Sequence, residues 1–209
     1  MAEKENKMLP EYDVSTRKSF AGEKINYGIL YGSDSKIVFI KSGAGGKIRG
    51  KDNKYLKIAY GLRERLGATV ICADNPDSEP EDILLHEKTD MKMISSVAQE
   101  LKFTDYELYF IGTSDGGYHN MCLARECPQT VRLLGINPSM NTVKDFIEKL
   151  NAIRNIDKIL VFGSNDECYK ESVKLRELED EKLKFITVTG ADHFFTDMVD
   201  EFIALAELI

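Results

Sequence analysis

A serine between glycines, in the order Gly112-Thr113-Ser114-Asp115-Gly116, ends an apolar run in "FIGTSDGGYHN", residues 110–120. A serine hydroxyl is a poor nucleophile at neutral pH. It needs a base to take its proton, a group to orient that base, and donors for the oxyanion that forms. The chain has three histidines from which the base can come. His193 lies in "VTGADHFF", in a glycine-containing loop just past the last apolar strand-like run. His86 lies in an acidic loop and is read as a pocket-rim residue or a solvated one. His119 falls five residues beyond Ser114 on a helix, facing away from the serine's turn, and is read as packed or surface structure.

The orienting carboxylate is read as Asp166 in "VFGSNDECY", which follows its apolar run and glycine just as His193 does. Its alternative use is a helix N-cap, and both uses are compatible. Asp192 is a rival by proximity, but neighbours in an extended loop tend to point apart. The oxyanion donors should be backbone N–H groups, one directly after the nucleophile, at Asp115, and one at Ala44 in "FIKSGAGGKIRG". That second loop is not a phosphate loop of the Walker type, which needs glycine at Lys41 and Ser or Thr at Ile48. A Gly-x-Gly-x-x-Gly reading from Gly43 fails at the same isoleucine, and a plain flexible turn is the remaining alternative. Ser42, Gly43 and Asn165 join His86 as expected rim residues.

The elements that must position these groups alternate in type. Residues 1–14 read as a flexible tail, and 15–209 as one domain without repeats or linkers. "TRKSF", "INYGILYG" and "KIVFI" read as three short strands, with short turns that favour antiparallel pairing at first. Leu56, Ala59, Leu62 and Leu66 then mark a helix face that ends at Gly67. "ATVICAD" reads as a buried strand, and residues 74–88 as a long acidic loop. Met91, Ile94, Val97, Ala98 and Leu101 share the next helix face. "YELYFIG", "VRLLGIN", "KILVFGS" and "LKFITVTG" read as further strands. Between them come helices over 116–126, 143–153 and 171–181, and a last helix follows with Met198, Val199, Phe202, Ile203 and Ala206 on one side. Such alternation predicts an α/β fold with a mostly parallel sheet, helices on both faces and antiparallel strands at the N-terminal edge. The carboxyl ends of the strands then share one edge, where functional loops gather.

Ser114, Asp166 and His193 stand in the chain order Ser…Asp…His of the nucleophile-elbow enzymes. With "GTSDGG", "SGAGG", "GSND" and "GADHF" in that order, the chain resembles the α/β-hydrolase superfamily over about residues 15–209. The resemblance implies Ser114 as nucleophile, His193 as base and Asp166 as orienting acid. The chain departs from the family in carrying Ser42-Gly43 where His-Gly is frequent. Only "NPSMN" separates a strand from the next helix where many members insert a helical cap, so a cap-less, open site is expected.

Composition narrows the partners. With 209 residues and a formal charge of -7, the chain is long enough to bury a core and has no dense basic patch. Nucleic acid and anionic membranes are therefore not expected partners. The polar start lacks a secretory h-region, and the apolar runs are too short to span a bilayer. The four cysteines form no C-x-x-C pair and, with no metal-ligand spacing to histidine, are read as reduced thiols of a cytoplasmic protein. Neither cofactor nor metal is expected. The function expected is hydrolysis of a small ester or thioester, with a small-molecule acyl substrate. The alternative is a catalytically silent binding or assembly protein on the same fold.

Overall fold

The computed structural model describes residues 9–76 and 83–209. In chain order the elements are β1 (Asp13–Lys18), β2 (Lys24–Leu30), β3 (Lys36–Lys41), α1 (Lys54–Leu66), β4 (Thr69–Ala73), α2 (Ile83–Glu100) and β5 (Glu107–Thr113). There follow α3 (Asp115–Glu126), β6 (Thr130–Ile136), α4 (Val143–Ala152), β7 (Asp157–Gly163), α5 (Tyr169–Leu175), β8 (Leu183–Val188) and α6 (Val199–Ala204). Among the described residues, eight strands form one sheet in the order β1-β2-β4-β3-β5-β6-β7-β8. The β1–β2 and β2–β4 pairs are antiparallel and all others parallel. No helix among them is long and apolar enough to cross a membrane.

Period-two alternation divides the core between the two faces of the sheet. Along β3, Ile37 and Phe39 join a cluster with Met93, Ile94, Val97, Met121, Phe146 and Leu150 from α2, α3 and α4. Val38 and Ile40 point the other way, to Leu56, Ala59 and Leu62 of α1 and Phe202 of α6. Helix α1 stops where expected, because Gly67 takes the left-handed conformation (φ 63°) and returns its N–H to Arg63 O.

Two expectations are corrected here. β2 does not pair with β3; β4 lies between them. β3 is buried from Ile37 through Lys41, so it takes a central position with helices on both faces, whereas β2 takes the antiparallel side. The 31–35 turn crosses the start of β4, where the N–H groups of Ser33 and Asp34 both reach Gly67 O at 2.9 Å. Gly32 lies so close there that a Cβ would stand 2.2 Å from Gly67 O. Helix α2 begins at Ile83, so part of the expected loop over 74–88 is helical; residues 77–82 lie outside the described residues.

Smaller differences concern element ends. β1 begins at Asp13 rather than at Thr16, and Tyr12 before it is buried with its hydroxyl 3.0 Å from Cys72 Sγ. β1 is almost wholly solvent-exposed, so no apolar pattern announces it; its backbone ladder to β2 holds it, with Thr16 Oγ1 donating to Asn26 Oδ1 at 2.8 Å. The expected helix over 171–181 is only Tyr169–Leu175, and the chain turns from Arg176 so that Leu178 packs on the core and Asp180 reaches buried Lys158 at 3.2 Å.

The sense in which successive strands are added to the sheet reverses between β3 and β5, which are parallel neighbours. β3 leads through α1 to β4 on one side, and β5 leads through α3 to β6 on the other. The two loops diverge there and leave a crevice at the carboxyl ends, the general ligand-binding position of open α/β sheets.

Candidate active site

Ser114 occupies that crevice, between the last residue of β5 and the first of α3. Its backbone is strained, at φ 52° and ψ -126°. Three hydrogen bonds hold it there: Ser114 N–H donates to Ile136 O at 3.0 Å, and Ser114 O accepts from Gly117 N–H at 2.9 Å and Ser139 N–H at 3.0 Å. The tight turn depends on missing side chains. A Cβ on Gly112 would stand 2.4 Å from Gly116 O, and one on Gly116 would stand 2.3 Å from Ser42 O. The outcome is a sharp strand-to-helix turn that lifts the hydroxyl above the sheet edge.

His193 and Asp166 arrive from the loops after β8 and β7. Asp166 Oδ2 is 2.5 Å from His193 Nδ1, and His193 Nε2 is 2.8 Å from Ser114 Oγ. A carboxylate can only accept, so Nδ1 carries the hydrogen and Nε2 is free to accept from the serine hydroxyl. The hydrogen bond to Asp166, supported by that residue's charge, raises the His193 pKa above its ordinary value against the opposing effect of burial. Asp166 is buried, and its other oxygen accepts from Cys168 N–H at 2.7 Å. It therefore braces the following turn as well as holding the imidazole. Asp192 is not a rival: its carboxylate accepts from the N–H groups of Phe194 and Thr196 at 3.1 and 2.8 Å.

The loop after β3 lies directly against Ser114. A side chain on Gly43 would come within 3.1 Å of Ser114 Cβ. Ala44, the next residue, is exposed. Asp115 is the first residue of α3, where backbone N–H groups lack intrahelical acceptors and the helix dipole favours negative charge. Ser42 does not line the rim: it is buried, and its hydroxyl donates to Ala73 O at 3.2 Å.

Of the other expected rim residues, His86 lies elsewhere and Asn165 is engaged between two loops. His86 is wholly buried in α2 and stands 3.1 Å from Glu23 Oε2, beside the β1–β2 hairpin. Its position follows from the early start of the helix, which turns an expected loop residue inward. Asn165 is exposed, but its side chain donates to Gly190 O at 3.1 Å and ties the β7 loop to the β8 loop. His119 is buried as packed structure, yet it does not ignore the elbow. Its Nε2 is 3.3 Å from Asp115 Oδ2, and this neighbour, ahead of Asn75, holds the Asp115 carboxyl below the usual range.

Three polar residues not singled out in the sequence complete the site. Asn75 donates from Nδ2 to Ser42 O at 3.1 Å and to Asp115 Oδ2 at 3.3 Å, clamping the two crevice loops together. Asn137, in a left-handed conformation (φ 44°), donates to the carbonyls of Asp192 and His193 at 3.1 Å each. Its oxygen accepts from Gly163 N–H at 2.8 Å, so one side chain sets the β7 end and the histidine loop. Ser139 places its Oγ 3.2 Å from Ser114 Oγ. The only available signal was position, since each follows a buried strand at its carboxyl end.

Among the described residues, the edge of the site at Phe194 is open. Phe194 is 75% exposed and stands edge-on to the His193 ring, with centroids 5.0 Å apart. A cavity of about 500 Å³ lies beside α2, α3 and α4, lined by Glu87, Met91, Tyr118, Met121 and Cys122 among others; none of Ser114, Asp166 or His193 lines it.

No protein-family model matches the chain, and no curated protein matches it by sequence. Solved structures do match it along nearly its whole length. Dienelactone hydrolase from Anabaena variabilis superposes with a TM-score of 0.70 at 16% identity, covering 96% of this chain and 97% of that one. XC6422 from Xanthomonas campestris, a serine hydrolase without lid, gives 0.65 at 15% identity over 97% and 95%. Est1E from Butyrivibrio proteoclasticus gives 0.66 at 17% identity over 93% and 96%. The sheet order, the crossing at β3 and β5, and these superpositions agree: the chain has the α/β-hydrolase fold.

Proposed function

We propose that this protein is a serine hydrolase that cleaves a small ester or thioester through an acyl-enzyme. The observation that carries the reading is the continuous contact from Asp166 through His193 to Ser114, at 2.5 and 2.8 Å, on a strained turn. Hydrolase and esterase structures among the similar folds support it.

In this mechanism Ser114 Oγ attacks the carbonyl carbon while His193 Nε2 takes its proton. Asp166 holds the imidazole in the required tautomer and stabilises the imidazolium. The backbone N–H groups of Ala44 and Asp115 receive the oxyanion; losing one such donor costs on the order of 10²–10³ in rate. His193 then protonates the leaving group, which departs and leaves Ser114 acylated. Water attacks the acyl-enzyme, giving its proton to His193, and Ser114 Oγ is expelled and reprotonated. The open edge and exposed Ala44 suit a short acyl group and a leaving group that projects into solvent.

The test is turnover of p-nitrophenyl acetate and an acetyl thioester by the purified protein and by Ser114→Ala. Hydrolysis by the wild type, lost by several orders of magnitude in the variant, is the expected result. Equal background rates would leave a binding or assembly role on the same fold.

A further inference from the structure

We propose that Ser139 is a further catalytic residue, whose hydroxyl drives the breakdown of the acyl-enzyme by donating to Ser114 Oγ as that oxygen is expelled. The inference rests on the reading of Ser114 as nucleophile given above.

The donor direction follows from the rest of the site. His193 Nδ1–H donates to Asp166, so Nε2 accepts the Ser114 hydroxyl proton. The hydroxyl of Ser139, 3.2 Å away, therefore donates to a lone pair of Ser114 Oγ. Its position is built into the elbow. Ser139 N–H donates to Ser114 O at 3.0 Å, and Pro138 packs so closely on α3 that a Cβ on Gly117 would stand 2.9 Å from Pro138 Cβ. The backbone of residue 139 thus does the structural work, and its half-buried hydroxyl is left facing the reacting oxygen.

Differential stabilisation says which step this hydroxyl serves. Only an interaction that strengthens between ground state and transition state accelerates a step. In the free enzyme Ser114 Oγ is already a good acceptor, so acylation gains little from Ser139. In the acyl-enzyme the same atom is an ester oxygen with little charge to offer a donor. Water then adds to the acyl carbon with loss of a proton to His193, the C–Oγ bond breaks, and its electron pair collects on Oγ. The His193 proton returns to that oxygen, and the carboxylic acid leaves. Oγ carries negative charge both when it attacks and when it is expelled, but only the expulsion starts from a weakly accepting ester oxygen, so the Ser139 hydrogen bond strengthens most in this second half.

The experiment is stopped-flow hydrolysis of p-nitrophenyl acetate by the wild type and by Ser139→Ala, with Ser139→Thr as the variant that keeps a hydroxyl. The expected result for Ser139→Ala is acylation within about twofold of wild type and deacylation slower by about tenfold, the kinetic equivalent of one hydrogen bond. The pH dependence of deacylation should keep its midpoint, since His193 is untouched, and Ser139→Thr should recover most of the rate. Unchanged deacylation, an equal loss in both phases or a displaced pH midpoint would overturn the proposal. If the wild type itself forms no acyl-enzyme, the nucleophile reading fails and this inference falls with it. A wild-type burst with no Ser139 effect defeats the inference alone.

Discussion

Ser114 is held at φ 52° and ψ -126° by hydrogen bonds at both of its backbone groups. A residue with a Cβ pays about 1–3 kcal/mol for such a conformation, and glycine adopts it freely. Ser114→Gly should therefore be more stable than Ser114→Ala by about 1 kcal/mol while both are inactive, as urea unfolding would measure. The His193 pKa is raised chiefly by its hydrogen bond to Asp166. The proposed mechanism needs the neutral imidazole, so kcat/KM should rise with pH through a midpoint above the ordinary value of about 6.5. Asp166→Asn should lower that midpoint and reduce kcat by about 10³–10⁴. Stability runs with the opposite sign. Protonated His193 adds stability in full below about pH 6.5, and that contribution is lost as pH rises through the folded-state value. The pH dependence of the urea midpoint in His193→Gln, compared with wild type, isolates it. At this scale Ser114, Asp166 and His193 were legible because each pairs a reactive type with a glycine and a strand end. Asn75, Asn137 and Ser139 were not, since a lone polar residue past a strand says nothing about which loop it will reach.

The elements supply the rigidity these side chains need. Lys41 Nζ is 2.7 Å from Asp90 Oδ2, both wholly buried, and Tyr27 OH donates to Asp90 Oδ1 at 2.7 Å. This triad fastens α2 to β2 and β3 directly beneath the crevice loop that begins at Ser42. Asp90→Ala leaves a buried lysine without its partner and should cost on the order of 3–5 kcal/mol in chemical denaturation. Asn137→Ala should cost less, about 1–3 kcal/mol, because it leaves the buried Gly163 N–H unpaired. Its larger effect should be on kcat, since the histidine loop loses its tether while Ser114 stays. Helix faces such as the one containing Leu56, Ala59 and Leu62 were readable from spacing, because burial on one side imposes the period. The start of α2 was not, since the acidic stretch before Ile83 has no such period. His86 was misread with it.

For the whole molecule, the site is a product of topology. Ser114, Asp166 and His193 follow β5, β7 and β8, and no local segment holds more than one of them. They meet only when the parallel sheet is complete. Labelling of Ser114 by an active-site reagent should therefore disappear in urea together with far-UV circular dichroism; loss of labelling well before loss of helicity would show a site that assembles separately. The parallel half of the sheet was legible from alternating helix and strand patterns. The order β2-β4-β3 was not, because a short turn between two strands does not say whether a third will enter between them. The central claim is that Ser114, His193 and the crevice N–H groups form a working nucleophile. The most direct measurement is intact-mass analysis after treatment with a fluorophosphonate, on the wild type and on Ser114→Ala. A single adduct that maps to Ser114 and is absent from the variant is the predicted result. A folded wild-type protein that stays unmodified while a known serine hydrolase labels in parallel would contradict the account.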